Sequence, residues 1–227
     1  RSDIVVCVLP PASDALTYRR LAQDLSPDHP VVIVRQFDPF AVHAEVVTVD
    51  QIAQSLADRL LARLRGRPIV VVGYSASGVV AHELERRLRA AGTATRLVLL
   101  DTGAGGSASG PVARSPRTVR RRMRTAARQA WLRSLPASTM PQRERAFARY
   151  EAAQRAAQEH IPRPGVVTAA LFQTRDGASG AIAQTWSTIV PSLTVIDLDC
   201  DHFEILGDPH IGEVVRWVHG NPASTEP

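Results

Sequence analysis

The chain has 227 residues, with 27 Lys plus Arg against 22 Asp plus Glu and a formal net charge of +5 at pH 7, enough length for one domain with a full core. No apolar run approaches the roughly 20 residues of a membrane-spanning helix, and two cysteines, Cys7 and Cys200, make neither a disulfide framework nor a metal cluster. Every Lys-or-Arg position is Arg, as GC-rich coding produces beside abundant Ala and Val, so the basicity is a poor sign of nucleic-acid binding and favours acidic protein partners instead.

Residues 4–9 are a short apolar run ending at Pro10-Pro11, with no leader pattern before it. They predict a buried strand in a chain expected to be cytoplasmic. Asp14 is placed to cap a helix to about residue 25. Residues 31–35 predict the next strand, and Asp50 is placed to cap a helix over 51–65, where Ile52, Leu56, Leu60 and Leu64 share one face. Residues 69–72 are a strand without alternation, as expected when both faces of a parallel sheet are covered. A helix to about residue 91 follows, then a strand over 96–101 that ends in an acid.

Residues 103–110 are a Gly/Ser/Ala-rich linker, followed by an Arg-rich helical pattern over 114–135 and a second helix over 141–160. This stretch holds too few large apolar residues for its own core, so 103–165 is expected to be a helical lid inserted into one domain spanning 1–220, with 221–227 a disordered tail. Residues 166–172 return to the sheet, 179–189 predict a helix, 193–198 the last strand and 211–219 a closing helix. Strand–helix alternation with short connections predicts an α/β fold with a mainly parallel sheet flanked by helices. Ligands of such sheets bind beyond the carboxyl ends of the strands.

Three residues with complementary chemistry lie at those ends. Ser75 occupies the turn of Gly73-Tyr74-Ser75-Ala76-Ser77-Gly78, between a buried strand and a helix, the layout of a nucleophile elbow whose second Gly comes one position late. A serine hydroxyl needs a base to take its proton, and the base needs an acid to orient it. Asp101 and His202 follow later strands, in the α/β-hydrolase order of serine, acid, histidine. Asp176, after the next strand, is the rival acid. His202 stands apart from the other six histidines because it alone follows the terminal strand at the site face. The N–H of Ala76 is one candidate oxyanion donor. The other is expected from the loop after the first strand, where Pro11 has no N–H and Ala12 does.

Pro10-Pro11-Ala12, Gly73-Tyr74-Ser75-Ala76, Leu99-Leu100-Asp101-Thr102 and Asp201-His202-Phe203 resemble the thioesterase domains of polyketide and nonribosomal peptide assembly lines. The likeness runs through nearly the whole chain and is weakest over 103–165. It implies an α/β-hydrolase fold with a helical lid, Ser75 as acyl-accepting nucleophile, His202 as base, Asp101 as its orienting acid, and Ala76 with Ala12 as oxyanion donors. In this family chain-releasing domains tend to carry the acid where Asp101 stands, and stand-alone proofreading (type II) thioesterases one strand later, near Asp176. The resemblance therefore implies release of an acyl or peptidyl chain, by hydrolysis or macrocyclisation. The substrate would arrive on the phosphopantetheine arm of a carrier domain upstream in the same polypeptide. No cofactor, metal, nucleic acid or membrane is expected, and the chain is expected to be a monomer.

Two departures from the family pattern stand near these residues. Ser77 replaces a Gly beside the nucleophile, and Cys200 stands where a Gly often precedes the Asp-His pair. The Arg-rich stretch over 114–135 reads first as a solvated lid face, second as a surface for an acidic carrier domain or its phosphate. The competing functions are a proofreading thioesterase and a non-catalytic α/β-hydrolase-fold binding module.

Overall fold

The structure is a computed structural model that describes residues 2–11, 13–26, 28–36, 48–64, 66–105, 142–165, 168–175 and 181–220. Six strands form one sheet in the order β2-β1-β3-β4-β5-β6, every neighbouring pair parallel. They are β1 (Ile4–Val8), β2 (Val31–Val34), β3 (Ile69–Tyr74), β4 (Thr95–Leu100), β5 (Thr168–Thr174) and β6 (Leu193–Leu198). The helices are α1 (Arg19–Leu25, entered through a 3-10 turn over Ala15–Tyr18), α2 (Val49–Arg63), α3 (Ser77–Ala90), α4 (Gln142–Glu159), α5 (Ala181–Ile189) and α6 (Ile211–Val218).

The unbroken apolar runs of the inner strands are explained by two cores, one on each face. Ile4, Val6 and Val8 of β1 and Leu97 and Leu99 of β4 turn towards α2, α3 and α5, joined by Ile52, Leu56, Leu84, Leu88 and Trp186. Val5, Cys7, Val98 and Leu100 turn the other way, onto Tyr18, Leu21 and Leu25 of the α1 side and Ile211, Val214 and Trp217 of α6. Successive residues of a strand face opposite sides, so a strand covered on both must be apolar throughout.

Observed elements agree with the expected ones within a few residues, with one correction at α2. Asp50 does not cap it: the cap is Thr48, whose Oγ1 accepts from the Gln51 N–H at 3.2 Å while Gln51 Oε1 accepts from the Thr48 N–H at 2.9 Å. This reciprocal capping box starts the helix two residues earlier than expected. Asp50 is left in the first turn, and its carboxylate is used elsewhere. It pairs with Arg87 of α3 at 3.0 Å, with Arg163 at 2.8 Å and with His160 at 3.6 Å.

Those last two residues follow α4, the helix described within the expected insertion between β4 and β5. Ala153 and Ala157 of α4 are buried, and Gly105 fits against its end so tightly that an added Cβ would lie 2.6 Å from Ala157 O and 2.7 Å from His160 O. The Arg-rich stretch over 114–135 expected to be helical, the tail over 221–227, Ala12 and Asp176 lie outside the described residues. Among the described residues no helix is long and apolar enough to cross a membrane.

Candidate active site

Ser75 leaves the end of β3 with φ of 54°, in the left-handed region. A non-glycine residue there costs on the order of 1–3 kcal/mol and persists only where its surroundings hold it. Here the Ser75 N–H donates to Leu100 O of β4 at 2.9 Å, and the Ser75 C=O accepts from the Gly78 N–H at 3.0 Å. Gly73 permits the reversal: a Cβ on it would lie 2.5 Å from the Gly78 Cα and 2.6 Å from the Ala81 Cβ. The displaced second glycine is also explained. A Cβ on Gly78 would fall within 2.2–2.7 Å of three Thr102 atoms, so position 78 needs Gly to let α3 close on the end of β4.

Ser77 is fully buried and ties the turn together. Its Oγ accepts from the Tyr74 N–H at 3.0 Å and donates to Tyr74 O at 2.7 Å. Ala76 is the N-cap residue of α3, so its N–H precedes the helix's own ladder and sits where a helix favours negative charge.

Asp101 follows β4 with φ of 44°, also left-handed. Its N–H donates to Phe172 O of β5 at 2.7 Å, and its Oδ1 accepts from the Thr174 N–H at 3.2 Å. Its Oδ2 lies 2.5 Å from His202 Nδ1. Burial pushes the Asp101 carboxyl up, but the hydrogen bonds from His202 and from Thr174 outweigh it and hold the group below its ordinary value. An ionised Asp101 can only accept, which assigns the proton to His202 Nδ1 and leaves Nε2 as the basic nitrogen.

His202 sits in the turn after β6. Asp201 Oδ1 accepts from the Phe203 N–H at 2.7 Å and the Glu204 N–H at 3.0 Å, and Glu204 Oε2 accepts from the Asp201 N–H at 2.9 Å. This reciprocal set fixes the backbone that carries the imidazole. Sequence reasoning missed Tyr74 and Thr174. The Tyr74 hydroxyl donates to His202 O at 2.7 Å, and its ring stacks on the imidazole with centroids 4.9 Å apart and planes at 24°. Its one sequence signal is its place immediately before the elbow serine.

Cys200 is buried in the core on the α6 side. Burial, with the carboxylates of Glu204, Asp101 and Asp201, pushes its thiol up, away from the thiolate that a nucleophile needs. Among the described residues no group of three or more His, Cys, Asp or Glu side chains could hold a metal ion.

Comparison with known proteins assigns the chain to a family. The family model for the thioesterase domain matches residues 4–221. The chain is similar in structure to the NocB thioesterase domain from the nocardicin cluster, with 20% identity, TM-score 0.72, and coverage of 97% of this chain and 95% of that one. It is similar to the type II thioesterase BorB from the borrelidin biosynthetic cluster, at 21% identity and TM-score 0.70, covering 96% and 93%. The third is a four-domain nonribosomal peptide synthetase, AB3403, at 19% identity and TM-score 0.74, where all of this chain matches 20% of that one. No curated protein sequence matches the chain significantly.

Proposed function

The chain belongs to the thioesterase domain family, and from that premise we propose that it releases an acyl or peptidyl chain from a carrier-protein phosphopantetheine thioester through an acyl-serine. The observation that carries the proposal is the Asp101–His202 pair, 2.5 Å apart at the same end of the sheet as the strained Ser75 elbow. In this reading Ser75 Oγ attacks the thioester carbonyl as its proton passes to His202 Nε2. The tetrahedral oxyanion is received by the Ala76 N–H and, in the reading from sequence, the Ala12 N–H. Collapse breaks the C–S bond, and the departing thiolate takes the proton from His202. Water then attacks the acyl-serine with His202 again as base, giving an acid; an internal hydroxyl or amine would give a ring instead.

Asp101 as the acid supports the chain-releasing reading, and so does the likeness to one part of a multidomain synthetase. Similarity to BorB favours the second reading, a stand-alone proofreading enzyme. The two separate by mutation. Chain release predicts that Asp101→Asn lowers turnover of a carrier-bound thioester by about four decades, while Asp176→Asn changes it little; the reverse pattern assigns the proofreading type. A fluorophosphonate that labels the wild type but not Ser75→Ala excludes an idle binding module.

A further inference from the structure

We propose that Ser77 and Tyr74 form a brace that positions His202, with Ser77 fixing the Tyr74 backbone and Tyr74 fixing the imidazole by a hydrogen bond and a ring stack. This rests on the reading of His202 as the base, and it gives the departure at position 77 a function.

The sheet geometry creates the need for Ser77. Register between β1 and β3 ends at Val8↔Gly73, one residue short of Tyr74. The Ser75 N–H turns to β4, where it reaches Leu100 O, so the polar groups of Tyr74 turn towards β1, where the residue in line to donate to Tyr74 O is Pro10, which has no N–H. A buried C=O without a partner would be costly. Ser77 Oγ donates to it at 2.7 Å and also accepts from the Tyr74 N–H at 3.0 Å. Tyr18, whose hydroxyl donates to Val8 O at 2.9 Å, packs beside Ser77 and ties this point to the end of β1. Gly at position 77 could supply none of this.

With its backbone held, Tyr74 reaches across 128 residues of chain to His202. Its hydroxyl anchors the histidine carbonyl, and its ring covers one imidazole face. The Phe203 ring meets the imidazole edge-on, with centroids at 5.3 Å and planes at 83°. Asp101 holds the Nδ1 edge, so rotation of the ring is opposed from three sides. Burial, then the Asp101 and Asp201 carboxylates, push the Tyr74 hydroxyl up to about 12, so it remains a donor throughout the working range. The negative face of an aromatic ring also favours a cation, here the imidazolium formed as Ser75 gives up its proton.

The test compares Tyr74→Phe, Tyr74→Leu, Ser77→Ala and the double variant Ser77→Ala/Tyr74→Phe, each first checked for an unchanged far-UV spectrum. Tyr74→Phe keeps the ring and loses the hydroxyl. It should slow fluorophosphonate labelling of Ser75 by about 3- to 10-fold. Tyr74→Leu loses both and should slow labelling further. The double variant should cost little more than the larger single loss, since both act through one path. The proton on His202 Nδ1 offers a readout independent of activity: its low-field resonance, assigned by its loss in Asp101→Asn, should shift or broaden in both Tyr74 variants. An unchanged resonance in Tyr74→Leu would overturn the brace. A wild type that does not label would defeat the serine-hydrolase reading instead, and the resonance would still decide the brace.

Discussion

A Cβ placed on Gly78 would lie 2.2 Å from Thr102 Oγ1 and 2.3 Å from its Cγ2, so the first turn of α3 rests directly on the residue after Asp101. In a free helix Gly→Ala gains up to about 1 kcal/mol. Here the clash is with a fully buried side chain whose carbonyl is held by Trp186 Nε1 at 2.6 Å. Overpacking of that kind costs about 1–3 kcal/mol or more and wins. Gly78→Ala is expected to lower unfolding stability by about 2 kcal/mol in urea titrations, and Thr102→Ala, which removes two of the three clashing atoms, to restore part of it.

The Asp101 carboxyl makes a second, pH-dependent contribution. Its value in the fold is below the ordinary 3.8, so its stabilising effect is complete above 3.8 and is lost as pH falls through the lower folded value. The stability difference between wild type and Asp101→Asn should therefore shrink as pH falls below 3.8. Chemical denaturation at a series of acid pH values measures this; a difference that grows below 3.8 contradicts it.

His82 acts in a separate window. It is buried on α3 beside the Trp186 ring at 5.3 Å, with no hydrogen-bond partner for its Nδ1 among the described residues. Burial outweighs the neighbouring Glu83 and pushes its pKa down from 6.5 to about 4. The unfolded chain then binds more protons between those values, so stability falls as pH drops from 6.5 towards 4 and levels off below. The gap allows at most about 3 kcal/mol. His160, also pushed down by burial against Asp50 and Glu83, adds in the same direction. His82→Leu should remove most of the slope in this window, leaving the share of His160.

Asp50 should matter more than any one of its partners. It receives Arg87, Arg163 and His160 from three segments, whereas the Arg163 side chain is 57% exposed and screened by solvent. Arg163→Ala is expected to cost under about 1 kcal/mol. Asp50→Ala should cost more and increase proteolysis after α4, where residues 160–165 return to the sheet. Thermal melts and limited proteolysis check both; equal effects would show that Asp50 is no hub.

Much of the fold was legible because its signals are local. Unbroken apolar runs, helical spacing of Ile52, Leu56 and Leu60, and Gly66 and Gly92 at left-handed helix ends depend on residues a few positions apart. The misassigned cap at α2 shows the limit: Asp50 and Thr48 are both good capping residues, and only the reciprocal Gln51 contact selects Thr48. The sequence by itself determined the strand–helix order and the succession Ser75, Asp101, His202. Only the tertiary structure decided that Asp101 meets His202, that Ser77 completes the backbone of Tyr74 where β1 has ended, and that Tyr74 lies on the imidazole. Those contacts depend on which strands are neighbours and where each stops, and residues separated by 101 and 128 positions leave no periodic trace of one another in the chain.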